Sequence, residues 1–316
     1  MSLPRQIQVH DVTLRDGLQS IAQVVPTKDK LELLDAMYGA GIRSIEAGSF
    51  VNPKLVPAMA DTAEVVRHAR RYLDLNVSAV IPNLKGARLA FEAGVSEIVM
   101  PISASRLHSK ANVNKSPEEM VDTIFAIHEL RLEMASPAKI LIGLTTAFGC
   151  TLQGSVEPDL VCQIASRAIE AGADACSVGD TVGYASPDQV DQLIGRLQAV
   201  IGERLIGAHL HNTRGLGLAN ALVALKRGLG RHDASLAGLG GCPYAPGASG
   251  NIVIEDLVFM LDSMHYATSI DIASLLKLRE LLARILPEEK LFGFVAQAGL
   301  PRWSDGNGSN QGGRLQ

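Results

Sequence analysis

Short apolar runs alternate with longer amphipathic ones along the chain, and the alternation repeats eight times. The short runs predict strands at residues 7–14, 44–50, 75–81, 97–102, 140–147, 175–180, 205–211 and 233–237. Between them apolar residues recur at helical spacing over 28–39, 118–134, 159–171 and 187–201, which predicts helices. Three helices end in nearly the same step: Ala-Gly-Ile-Arg-Ser-Ile-Glu at 40–46, Ala-Gly-Val-Ser-Glu-Ile-Val at 93–99 and Ala-Gly-Ala-Asp-Ala-Cys-Ser at 171–177. A glycine at a helix end followed at once by a strand is ordinary turn chemistry, and its recurrence means that one strand–helix unit is reused.

Strands alternating with helices imply a parallel sheet, and eight such units suit a closed (β/α)8 TIM barrel better than an open sheet. No clean GxGxxG follows the first strand, which weighs against a dinucleotide fold. Residues 252–264 and 272–286 then read as the last barrel helix and an extra C-terminal cap. Residues 1–300 thus form one domain, and 301–316, rich in Gly, Ser, Asn and Asp, read as a disordered tail.

Composition narrows the function classes. The chain has 316 residues, 47% hydrophobic and 20% charged, with a net charge of −4 and no dense Lys/Arg run, so nucleic acid and anionic membranes are not its expected partners. Its first residues lack the apolar core of a signal peptide, and no stretch matches a membrane span. Cys150, Cys162, Cys176 and Cys242 form no CxxC pair, the usage of reduced thiols in a cytoplasm.

In such a barrel the chemistry sits at the C-terminal ends of the strands. Polar groups gather there: Arg15 and Asp16 after strand one, Glu46 on strand two, Asp180 ending strand six, and His209 and His211 ending strand seven. Side chains two apart on a strand share a face, so the two imidazoles read either as half of a metal site or as a hydrogen-bonded pair. After strand eight comes a segment, 238–251, with five glycines and two prolines, Cys242 in its middle and Asn251 at its end. It lacks the Lys of a phosphate loop. Cys242 reads either as a small buried filler or as a working thiol on a hinged loop.

At this point the residues resemble a known family. The run from Leu236 to Asn251, Leu-Ala-Gly-Leu-Gly-Gly-Cys-Pro-Tyr-Ala-Pro-Gly-Ala-Ser-Gly-Asn, is similar to the signature of the 3-hydroxy-3-methylglutaryl-CoA lyase family. Supporting matches are Leu14-Arg15-Asp16-Gly17-Leu18-Gln19, Pro82-Asn83-Leu84-Lys85-Gly86 and the stretch from Ser177 to Gly183. The resemblance implies a divalent cation, Mg2+ or Mn2+, held by Asp16, His209, His211 and Asn251. It implies an acyl-CoA substrate split between C2 and C3, Arg15 facing the departing enolate, and Cys242 moving a proton. Asp180 and Glu46 follow as supporting or proton-handling groups, and a homodimer as the assembly.

Some positions depart from the family. Ser20-Ile21-Ala22 stand where Asn-Glu-Lys is usual, Asn212-Thr213-Arg214-Gly215 replace Asp-Thr-Tyr-Gly, and Arg106 and His108 add charge after strand four. Arg214 reads either as a carboxylate partner in a retuned pocket or as a residue turned outward to a surface acid. The departures bear on the acyl group more than on the reaction class. The alternatives are a lyase for a related substrate such as citramalyl-CoA or a longer-branched glutaryl-CoA, a Claisen-condensing synthase, and a non-catalytic barrel.

Overall fold

The computed structural model describes residues 5–240 and 250–301. Eight parallel strands close a barrel in sequence order: β1 Gln8–Asp11, β2 Ser44–Ser49, β3 Asn76–Val80, β4 Glu97–Ser103, β5 Lys139–Thr145, β6 Ala175–Asp180, β7 Leu205–Leu210 and β8 Arg231–Ala234. The architecture is the expected TIM barrel. Helix Pro187–Ile201 shows why the sequence folds this way. Ser186 and Gln189 cap its start reciprocally, Pro187 opens its first turn, and Val190, Leu193, Ile194, Leu197 and Ile201 form its buried stripe. At the repeated turn, Gly41, Gly94 and Gly172 have φ of 96°, 82° and 105°. A Cβ on Gly41 would lie 2.1 Å from the Ser269 carbonyl oxygen, so the repeat is a steric requirement.

Strand alternation divides the interior in two. Ile98, Met100 and Ile102 on β4, with Ile140, Ile142 and Leu144 on β5, are fully buried on the outer face, against the helices. The inner face is polar. Arg231 of β8 reaches across the lumen to Glu97 of β4 at 2.6 Å, and His10 bridges Ser44 and Ser78 at 2.8 and 3.1 Å.

Two strand boundaries differ from the expected ones. Strand one ends at Asp11, and Thr13–Gly17 form a single wide π-type turn. Asp11 causes the break: its carboxylate accepts the Thr13 amide at 2.8 Å and the Thr13 hydroxyl at 3.0 Å, so the chain leaves the sheet. Strand eight runs two to three residues earlier than expected. Its Arg231 looks unlike a strand core residue, yet is 4% exposed because Glu97 neutralises it. Beyond residue 234 the chain turns at Leu236–Gly238.

The C-terminal helices are fastened to the barrel. Ile272–Ile285 packs on Thr27–Gly39, and its Arg279 donates to Glu255 Oε1 and the Phe292 carbonyl, both at 2.8 Å. Glu255 is fully buried and also accepts the Ala237 amide. Arg279→Met therefore leaves a buried carboxylate without its cation. It is expected to cost about 3–5 kcal/mol in urea unfolding, with part recovered in Glu255→Gln/Arg279→Met. An unchanged midpoint in the single variant would show that the cap contributes nothing to the barrel.

Candidate active site

The break at Asp11 has a functional consequence. The wide turn swings Arg15 and Asp16 over the end of β1, beside β7 and β8, because the barrel closes between β8 and β1. His209 on β7 and His211 just past it face the same space, and His211 bridges backbone to backbone with Asn251. Ligand atoms of Asp16, His209 and His211 all lie within 4.8 Å of one another. His209 Nε2 and His211 Nε2 are 3.1 Å apart, and His211 Nε2 is 3.8 Å from Asp16 Oδ2. Asn251 Nδ2 donates to Asp16 Oδ2 at 2.7 Å and to the Leu239 carbonyl at 2.9 Å. That leaves Asn251 Oδ1 buried with no partner among the described residues.

Charge in this pocket is balanced closely. Burial works against ionisation of Asp16, but Arg15, both imidazoles and the Asn251 amide outweigh it and hold its carboxyl at about 2. Burial, with repulsion from His209, lowers His211 to about 4, so that ring is neutral. Burial also opposes charge on His209, yet Asp233 and Asp16 outweigh it and raise its pKa. Arg15 donates through Nε to Glu46 and through Nη1 to Asp16 Oδ1. Glu46 is 3% exposed, and its burial raises its carboxyl despite the arginine.

The residues present fit a divalent cation. Two imidazole nitrogens, one ionised carboxylate and one orphaned amide oxygen form a mixed nitrogen–oxygen donor set that a divalent cation can use. Gly240 lets the backbone pass over them: a Cβ there would come within 2.2 Å of Asn251 Nδ2 and 2.9 Å of Asp16 Oδ2.

Of the residues singled out in the sequence, Arg15, Asp16, Glu46, His209, His211 and Asn251 come together. Cys242 lies outside the described residues. Asp180 is turned elsewhere. It pairs in register with Leu210, one residue out of phase with the histidines, and its two oxygens accept the Tyr184 and Ala185 amides at 2.9 and 3.0 Å. Its carboxylate thus shapes the loop after β6. Among the described residues Arg214 makes no salt bridge with an acid and is not part of the ligand cluster. It donates to the carbonyls of Val182 and Gly183 at 2.8 and 3.2 Å and stacks on Tyr184, fastening that same loop. Arg106 is tied to Glu118 through both Nη atoms, and His108 Nδ1 lies 3.0 Å from Ser103 Oγ.

Sequence reasoning missed Asp233. Its Oδ2 lies 3.1 Å from His209 Nδ1, which fixes that ring with Nε2 toward the other ligands. Alternation from Arg231 along the true β8 would have placed it on the inner face.

An acid-and-imidazole cluster at the C-terminal mouth of a TIM barrel marks the class, a barrel enzyme with its chemistry at the strand ends. The HMGL-like family model matches residues 6–282. The chain is 38% identical over 299 residues to the mitochondrial hydroxymethylglutaryl-CoA lyase of Macaca fascicularis, covering 94% of this chain and 90% of that one. It is 34% identical to a hydroxymethylglutaryl-CoA lyase of Bacillus subtilis, covering 92% and 98%. A solved HMG-CoA lyase from Acinetobacter baumannii, in complex with coenzyme A and 3-methylmalate, superposes with a TM-score of 0.86 at 37% identity, covering 93% and 95%. The chain belongs to the HMGL-like family.

Removing the support of His209 gives a test confined to the cluster. Asp233→Asn frees the imidazole to take the wrong tautomer, and Mn2+ affinity, read by calorimetry on metal-stripped protein, is expected to fall about 10–100-fold. Equal affinity in both proteins would mean that Asp233 does not orient a metal ligand.

Proposed function

We propose that this enzyme cleaves 3-hydroxy-3-methylglutaryl-CoA to acetyl-CoA and acetoacetate, using a divalent cation held by Asp16, His209, His211 and Asn251. The observation that carries the reading is the convergence of Asp16, His209 and His211, with Asn251 bonded to Asp16, beside Arg15 at the barrel mouth. When bound, the cation supplies Lewis-acid polarisation and a template for the substrate's 3-hydroxyl and a neighbouring oxygen. In the cleavage the hydroxyl gives up its proton, the C2–C3 bond breaks, and its electron pair passes to C2 and the thioester oxygen. C3 becomes the ketone of acetoacetate. Arg15 has two of its nitrogens committed to Glu46 and Asp16, which leaves Nη2 to face the negative charge growing on the thioester oxygen. Glu46 holds that guanidinium in place from its buried site and is the buried carboxylate beside it that can exchange a proton. Cys242 delivers a proton to C2 of the enolate, and Asp180 positions the 181–185 loop rather than moving protons.

The same reading makes residues 1–300 one catalytic domain acting on an acyl-CoA, with a homodimer as the family-like assembly. Among the described residues no helix is long and apolar enough to cross a membrane. A cytoplasmic location rests on cysteine usage, with Cys150, Cys162 and Cys176 free and buried.

Chelation is expected to abolish cleavage, and Mg2+ or Mn2+ to restore it; full turnover in metal-free protein would end the metal assignment. Arg15→Gln should still load Mn2+ while turnover drops about 10²–10³-fold, the usual cost of one electrostatic donor. Parallel loss of metal and rate would make Arg15 a support for Asp16 instead. Cys242→Ser should lower turnover by about 10²–10⁴ without shifting the melting temperature, whereas near-normal turnover would leave the thiol no role in proton transfer.

A further inference from the structure

The inner wall opposite the ligand cluster is unlike the rest of the lumen. In a barrel of eight strands in sequence order, β4 and β5 stand across from β8 and β1, and the Arg231–Glu97 bond spans that gap. Glu97 therefore marks the inner face of β4, and alternation puts Val99, Pro101 and Ser103 on the same face. Register pairs Pro101 with Gly143 and Ser103 with Thr145, so these β5 residues face inward too. Val99, Pro101, Gly143 and Thr145 are only half-buried, although their strands are paired on both sides and Ile98, Met100, Ile142 and Leu144 behind them are fully buried. The exposure therefore opens into the lumen. A Cβ placed on Gly143 meets nothing closer than Pro101 Cα and Val99 Cγ1, both at 3.9 Å, so a side chain would fit there and is missing. Leu141, one inward position below, is 1% exposed and closes the floor. Beside this wall, Ser177 of β6 pairs in register with Gly143 and is 8% exposed.

We propose that this wall is an enlarged acyl pocket, that Gly143 determines its depth, and that the enzyme prefers a 3-hydroxyglutaryl-CoA whose C3 branch is a longer apolar chain than methyl. The inference rests on the lyase reading. With the 3-hydroxyl and its neighbour held at the β1–β7–β8 side, the remaining apolar substituent on C3 projects toward β4 and β5. Strands rise about 3.3 Å per residue, so Val99 to Ser103 offers a wall about 13 Å tall, enough for a branch of several carbons. Pro101 and Gly143 present no polar side-chain atoms, which selects an alkyl or alkenyl branch over a hydroxylated one. Ser177 lies where the substrate's carboxylate or thioester oxygen can accept its proton.

Two measurements on the full chain test this. The first is calorimetric binding of non-cleavable 3-alkylglutaryl-CoA thioesters, from methyl to hexyl, to the Mn2+-loaded protein. Affinity should rise roughly tenfold or more along the series, and Gly143→Leu should erase the rise. The second is kcat/KM for the corresponding 3-hydroxy compounds, with the longer branch favoured in wild type and the order reversed in Gly143→Leu. Gly143→Ala, which adds one methyl, should lie between the two. If the methyl compound binds and reacts best in wild type, the pocket proposal is wrong and the lyase reading stands. If longer thioesters bind more tightly but none of the hydroxy series is cleaved, the lyase reading fails and the pocket survives as a binding site. If branch length changes neither measurement, Gly143 determines nothing.

Discussion

Four carboxylates, Asp16, Glu46, Glu97 and Asp233, are drawn into one barrel, and two arginines make that arrangement tolerable. Arg15 neutralises Asp16 and Glu46 at the mouth, and Arg231 joins Glu97 and Asp233 deeper in the lumen. Buried charges of this kind persist only when paired, because desolvation costs several kcal/mol per ion. With all four carboxylates ionised and the imidazoles neutral, these six groups would carry two negative charges, the amount that the proposed divalent cation would cancel.

The same pairing orders the site from below upward. Asp233 is held low in pKa by its contact with His209 and by the nearby His10 and Arg231, so it stays ionised and grips His209 Nδ1. His209 then presents Nε2 beside His211 and Asp16. Above them, Asp16 is oriented by Arg15 on one oxygen and by Asn251 on the other. Asp16, His209 and Asn251 are thus each held by a fixed partner, whereas His211 Nδ1 is buried without one among the described residues.

The opposite wall follows another rule. Around Pro101 and Gly143 there is no buried charge to hold, and the inner face is free to be small and apolar. A division between a rigid ionic side and an apolar side suits a substrate whose reacting oxygens are polar and whose branch is not. On the proposed reading, reaction type and branch length would vary independently, because the residues assigned to them lie on different strands.

How much of this was legible in the sequence depends on the range of the interaction concerned. Strand and helix positions were readable because hydrophobic period, helix caps and positive-φ glycines are local: Ser186 with Gln189 and the repeated Ala-Gly step carry their own instructions. Arg15, Asp16, His209, His211 and Asn251 were readable because each ends a strand or follows one, where barrels keep their chemistry. Arg231 was not, since a charged residue looks foreign to a strand until Glu97, more than a hundred residues away, neutralises it, and with the strand start misplaced the inward face of Asp233 went unread. Asp180 looked like its neighbours in the sequence, and only strand parity turned it away from the histidines. The role of Arg214 lay in a neighbouring loop, and the open space at Gly143 belongs to no single segment. It exists because β4 and β5 meet in one register, and register between strands is settled by packing of the whole barrel, not by either strand alone.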